Sequence, residues 1–407
     1  MTRTGVIAIV LAILVIALAI VLAYNSISLG ASVNNMKQEL SQLTSAIEGL
    51  RSDLNLVKSS VENLKSLTSK VEELNSQLQN IAGEATKLKE AINELRKPFP
   101  VTITDALGRV VVIPKEPERI VSMAPSITET LFALDLGDKV VGVDQFSNYP
   151  PEVEELKEKG KIEVIGGFIN PNIEKIVALN PDLVIAVELQ APFVKILESL
   201  GINVIVVKSE SLTDIYTSIT TIGQATGQMD KAQEVISDLK QRIRSVWEKT
   251  KDIPEKLRVI HIVWLEPLMV AGQKSYINDI ISIAGGINAF GDVTEAYPIV
   301  SPEAVIEAQP DVIIVSGHAS PGKSPEEIID YLKSLPGWAD LKAVKEGRIY
   351  VLMDEAEDAL VRPGPRVAVA IEMIAKILYP ELFGLEEVSR VIHSPQSLVL
   401  GILTRSV

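Results

Sequence analysis

The sequence predicts an α/β protein: two Rossmann-like lobes joined by a single long helix, preceded by a transmembrane helix and a coiled-coil stalk. Three observations predict it. From Arg119 onward, short β-branched runs alternate with helical patterns, as parallel strands buried on both faces do. One short passage is written twice, "NIEKIVALNPDLVIA" from Asn172 and "SPEAVIEAQPDVIIV" from Ser301. Laid over each other, Glu174 meets Glu303, Pro181 meets Pro310 and Asp182 meets Asp311, so the head is read as two related halves. In front of them an uncharged apolar run gives way to a polar segment with a heptad seam.

Residues 1–28 are expected to be the membrane anchor. "GVIAIVLAILVIALAIVLAY", Gly5 to Tyr24, carries no charge. At about 1.5 Å per residue it is long enough for a hydrocarbon core of about 30 Å. Arg3 and the amino terminus precede it, which favours a cytoplasmic N-terminus and an external remainder. The rival reading is a cleaved secretory signal with Val21–Ala23 at the cleavage site. The anchor is preferred because the run exceeds the usual signal core of about 7–15 residues. Both readings place the rest of the chain outside the cell membrane.

Residues 29–97 are expected to form the stalk. Apolar residues at Leu29, Val33, Met36, Leu40, Leu43, Ile47, Leu50, Leu54, Val57, Val61 and Leu64 alternate steps of four and three. Leu64 to Leu67 is a stammer, after which the seam resumes from Val71 to Leu95. As one helix it would extend on the order of 100 Å. A lone helix has nowhere to bury so long a stripe, so a homo-oligomer through the coiled coil is expected, against the alternative of a single polar tether.

The folded head opens with "VTITDALGRVVVIP", two strands about a turn at Gly108. An N-terminal lobe (99–210) and a C-terminal lobe (256–388) flank an interlobe helical region (211–255). A tail (389–407) follows. In the interlobe region Ala232, Val235, Ile236, Leu239, Ile243 and Val246 make one apolar face, with Asp230 the expected N-cap. A helix of about 20 residues spans about 30 Å, so the lobes are joined by one strut.

Composition excludes several function classes. The 407 residues carry a net charge of −14, against a nucleic-acid surface. There is no cysteine, hence no disulfide, thiolate site or cysteine nucleophile. The three histidines, His261, His318 and His393, are far apart in sequence, so no histidine-rich metal site is expected. No nucleophile–base constellation and no phosphate loop of the Walker type is present, so neither an enzyme nor a transport ATPase is expected, and no cofactor.

"RIVSMAPSITETLFALDLGDKVVGVDQFSNYPPE", "GGFINPNIEKIVALNPDLVIA", "SPEAVIEAQPDVIIVSG" and "RPGPRVAVAIEMIAKILYPELF" resemble the substrate-binding proteins of ABC importers. The resemblance is to the class with one rigid interlobe helix, which binds iron–siderophores, cobalamin or haem, and it covers about 99–385. It implies a ligand clasped between the lobes, where crevices of such folds lie, at the carboxyl ends of the strands. The implied ligand-binding residues are Pro125, Ser126, Phe146, Phe168, Trp264, Tyr297 and Arg362. Those matching Phe146, Phe168 and Tyr297 are aromatic in cobalamin-binding members, and flat rings suit the face of a corrin or porphyrin. Arg362 could pair with an anionic group, and His318, at a strand end, with a metal. Packing is the alternative role of each.

Asn172 and Ser301 are good N-caps, and Glu174 and Glu303 then favour their helix dipoles, which is a sufficient local reason for each. In the resembled family one glutamate per lobe docks onto arginines of a two-fold permease dimer, and Glu174 and Glu303 match those positions. The implied partners are an ABC permease with its ATPase and a metal chelate, iron–siderophore or cobalamin. The alternatives are a ligand-binding sensor head on a membrane stalk, or a haem or oxyanion carrier of the same fold.

Overall fold

The computed structural model describes residues 3–95 and 99–398; within the first helix the side chains at 3–4, 6–9, 24, 26–29, 31–32, 34 and 90–95 lie outside the description. The chain forms two compact units, Met1–Arg96 and Lys97–Val407. The first is one unbroken helix, Arg3–Leu95, of 93 residues. Its seam is exposed along the single chain: Met36, Leu40, Leu54 and Leu78 each show more than half of their surface. A coiled coil is therefore not formed within this chain. Among the described residues no helix is long and apolar enough to cross a membrane. The span expected to do so includes the side chains at 6–9 and 24, outside the description.

In the second unit, β1 (Val101–Thr104) and β2 (Val110–Ile113) form an antiparallel pair, with Gly108 at φ 72° in the turn between them. The N-terminal lobe follows with β3 (Ile120–Ser122), β4 (Val140–Val143), β5 (Glu163–Val164), β6 (Leu183–Val187) and β7 (Val204–Val207), parallel and in the order β5-β4-β3-β6-β7. The C-terminal lobe has β8 (Arg258–Trp264), β9 (Met269–Val270), β10 (Ile287–Asn288), β11 (Val312–Ser316), β12 (Ile349–Leu352) and β13 (Val391–Ile392). Its path is β10-β8-β11-β12-β13, with β9 antiparallel to β8. Both sheets are buried on both faces, as their uninterrupted apolar runs require. The tail is not loose where it is described: β13 pairs with β12 and ends the sheet.

Alternation along the strands joins the lobes. In β6, Leu183, Ile185 and Val187 enter one large apolar cluster, while Val184 and Ala186 enter another on the opposite face. In β11, Val312 and Ile314 enter the same large cluster, and Ile313 and Val315 a third. Between them Leu239, Ile243 and Val246 of the helix Met229–Thr250 complete the shared cluster. The strut is thus cemented to both lobes by apolar burial rather than hinged. Asp230 is in the first turn of this helix, not its cap. The preceding helix, Leu212–Thr226, ends at Gly227 (φ 75°), so the next one begins at Met229 with Gln228 as cap.

Candidate functional site

The carboxyl ends of both sheets face one cavity of about 590 Å³ between the lobes. From the first lobe it takes Ala124, Pro125 and Ser126 beyond β3, Phe146 beyond β4, Phe168, Val187 at the end of β6 and Ser209 beyond β7. From the second come His261 and Val263 on β8, Tyr276, Tyr297, His318 beyond β11, and Glu357, Asp358, Val361 and Arg362 beyond β12. A larger groove, about 830 Å³, lies at the opposite, amino end of β12 around Arg348 and Arg390. Only the first follows the rule that α/β sheets place ligands at strand carboxyl ends.

Buried polar contacts hold the first lobe's loops. Thr128 Oγ1 donates to Ser122 Oγ and meets Ser147 Oγ, both at 2.8 Å. Ser147 Oγ and the Phe146 N–H donate in turn to buried Asp144, the latter at 2.8 Å. Burial raises the Asp144 pKa and these two bonds oppose the rise. Phe146 is left 53% exposed at the cavity edge. Gln190 does the same for Phe168: its Nε2 donates to the carbonyls of Met123 (2.7 Å) and Phe168 (2.8 Å).

Across the cavity floor the lobes are tied by charge. Glu129, 3% exposed, accepts from Arg366 Nε at 2.9 Å and Nη2 at 2.6 Å, and from Arg362 Nη1 at 3.2 Å. Arg362 also donates to Asn148 Oδ1 (2.6 Å) and the Phe146 carbonyl (3.0 Å), and pairs with Asp358 (2.7 Å). Burial leaves the Glu129 pKa raised, and the two arginines oppose the rise without cancelling it. Arg366 lies 4.1 Å from the centre of the Tyr149 ring. With four protein acceptors on its guanidinium, Arg362 lines the cavity as a tie between lobes and not as a free anion receptor.

The two cavity histidines differ. His261, 1% exposed, has its pKa lowered to about 3, first by burial and then by the charge of nearby His318. His318 is raised, first by its bond to Glu357, with burial opposing. Its placement depends on Gly317, where a Cβ would lie 2.7 Å from the Leu352 carbonyl oxygen and 2.4 Å from Met353 Sδ.

Six of the seven residues expected to bind ligand, Pro125, Ser126, Phe146, Phe168, Tyr297 and Arg362, are brought to this cavity. Trp264 is not among its lining. Its indole Nε1 donates to the Glu266 carbonyl at 3.0 Å, which holds the ring off the cavity and beside His318. Sequence reasoning missed His261, Tyr276, Glu357 and Asp358. Of these only Glu357 and Asp358 carried a signal, since they precede the quoted "RPGPR" on a helix entering the same loop.

Glu174 and Glu303 lie on the helices Ile173–Ala178 and Pro302–Ala308, exposed in the first turn of each. The caps are as expected: Asn172 accepts from the Lys175 N–H, and Ser301 from the Ala304 N–H.

A family model described as periplasmic binding protein matches residues 120–356. An uncharacterised ABC transporter substrate-binding lipoprotein of Bacillus subtilis is 35% identical over 293 residues, 70% of this chain and 87% of that one. The structure of the periplasmic vitamin B12 binding protein of Vibrio cholerae is 30% identical over 66% of this chain and 98% of that one, with a TM-score of 0.55. That of a periplasmic heme-binding protein from Roseiflexus is 29% identical over 65% and 99%, with a TM-score of 0.57. The shared two-lobed fold, the cleft at the strand ends and these likenesses together assign the chain to the periplasmic binding protein family, as a solute-binding and non-enzymatic component of an ABC importer.

Proposed function

We propose that the head carries a flat metal chelate, a corrinoid or a similar macrocycle, to a permease from the outer side of the cell membrane. The observation that carries this reading is the cavity itself: aromatic side chains from both lobes, Phe146 and Phe168 from one and Tyr297 from the other, border a space of about 590 Å³. Flat rings fit flat faces. Relatives that bind vitamin B12 or heme support the class of cargo. The commitment of Arg362 to Glu129 and Asp358 speaks against an oxyanion cargo, which needs a free cation. The apolar run before the stalk supports attachment to the membrane by a single span, and the exposed seam supports oligomers on it.

Glu174 and Glu303 are the proposed docking pair, one exposed carboxylate on each lobe. The Glu303 pKa is lowered, first by a main-chain bond and then by Ser301, so it stays charged. Such exposed charges set orientation and encounter more than affinity. In cells that rely on this protein for cobalamin uptake, Glu174→Lys with Glu303→Lys should abolish uptake, while the purified double variant binds cobalamin within about twofold of the parent. Normal uptake by the double variant would remove the docking role.

A further inference from the structure

Two of the chain's three histidines border the cavity, and they are prepared differently. His261 is buried, with Nε2 at 3.0 Å from Ser316 Oγ and no partner for Nδ1. The His318 side chain is 48% exposed. Its Nδ1 is taken by the Glu357 carboxylate, whose same oxygen accepts the His318 main-chain N–H at 3.2 Å. The Trp264 ring centre stands 6.2 Å away, tilted by 47°. No protein group among the described residues bonds the His318 Nε2.

An imidazole with one nitrogen held by a carboxylate and the other open is how proteins orient and strengthen a metal ligand. Among the described residues no group of three His, Cys, Asp or Glu side chains can hold a bare ion. A metal arriving here must therefore bring its other ligands, with one coordination position left for the protein. The lining also defines the charge it accepts. Arg362 is spent on Glu129 and Asp358, so the lining offers no free guanidinium to an anionic chelate. A polyanionic chelate is disfavoured and a neutral or cationic core is favoured.

We propose that the His318 Nε2 is an axial ligand to the metal of a planar tetrapyrrole-type chelate, with Glu357 as its positioning residue. The inference rests on the chelate-binding reading above and adds the bond. The His318 Nε2 proton passes to solvent, metal-bound water leaves, the freed imidazole lone pair takes its place, and no electron is transferred.

The test uses the purified full-length chain in detergent, with aquocobalamin and ferric haem as separate probes, each carrying an exchangeable water. In the parent, the visible spectrum of at least one should shift to that of a nitrogen-ligated metal, and the arm that shifts names the macrocycle. His318→Ala should still bind it, at least about tenfold more weakly, with the spectrum of the water-ligated form; added imidazole should restore the shift. His318→Gln, which keeps the bulk, should behave alike, and His393→Ala, whose side chain is 63% exposed outside the cavity, should match the parent. Glu357→Gln should keep the shifted spectrum but weaken binding by about tenfold. Identical spectra of bound chelate in the parent and both His318 variants would overturn the inference alone. Binding of neither probe would overturn it together with the function on which it rests.

Discussion

Burial keeps the His261 imidazole neutral down to about pH 3, whereas Glu357 holds the His318 imidazole protonated above its usual range. The two therefore act on stability in different pH windows. An unfolded histidine titrates near 6.5. Below that, the unfolded chain takes a proton that folded His261 refuses, so stability falls as pH drops, by about 1.4 kcal/mol per pH unit for that one group. His318 has the opposite sign: its ion pair contributes fully below about 6.5 and is lost as pH rises through the raised folded value. All three tryptophans, Trp247, Trp264 and Trp338, lie in the second unit, so their fluorescence reports on the head alone. In denaturant titrations across pH, His261→Asn should flatten the acid limb and His318→Asn the limb just above pH 6.5. An acid limb unchanged in His261→Asn would refute the buried-neutral assignment.

At the scale of elements, the repeated passage was legible because it is local. Alternation gave the strands, and Asn172 and Ser301 gave the helix starts. The duplication also runs deeper than the shared glutamate. Asn180 and Gln309, each before the repeated proline, both take φ 45°. Asp182 accepts the N–H of Arg119, and Asp311 that of Arg258, while those arginines reach the carbonyls of Leu179 and Ala308. What sequence could not show is where long side chains spend their donors. Arg362 was read by its loop, but its partners stand at 129, 146 and 148, far away in the chain. Trp264 was read by its strand end, but one bond to Glu266 sets its ring aside. The first helix poses the inverse case, since its seam is plain in sequence and has no counterpart in a single chain. Light scattering of the full chain in detergent should give a multiple of the monomer mass. Leu40→Lys, Leu54→Lys and Leu78→Lys together should give the monomer, because each places a charge in the seam. Deleting residues 1–28 should release the protein from membranes and leave it oligomeric. A monomeric parent would leave the stalk a simple tether.

For the head as a whole, one carboxylate does much to fix how the lobes face each other. Glu129 comes from the helix Pro125–Ala133 of the first lobe, Arg362 and Arg366 from the turn between the helices Asp354–Val361 and Val367–Leu378 of the second. The Arg362 bonds to Phe146 and Asn148 extend the tie to the loop at the cavity edge. Taking charges out of water is costly, so the cluster is weak evidence of net stability, but removing one member leaves the others buried and uncompensated. Glu129→Ala should therefore lower the head's unfolding free energy by about 3–5 kcal/mol. Amide exchange should quicken in both partners of the tie, around 146–148 and around 358–362. Arg366 makes its two hydrogen bonds to Glu129 alone, whereas Arg362 keeps Asp358, Asn148 and Phe146 when Glu129 is lost. Glu129→Leu with Arg366→Met should accordingly recover most of the lost stability, because an apolar pair of similar volume needs no partner. Recovery of stability without recovery of the slow exchange at 146–148 would show that the cluster serves lobe orientation more than folding. Failure of the apolar pair to recover stability would mean that the charges themselves, and not merely their mutual satisfaction, hold the lobes together.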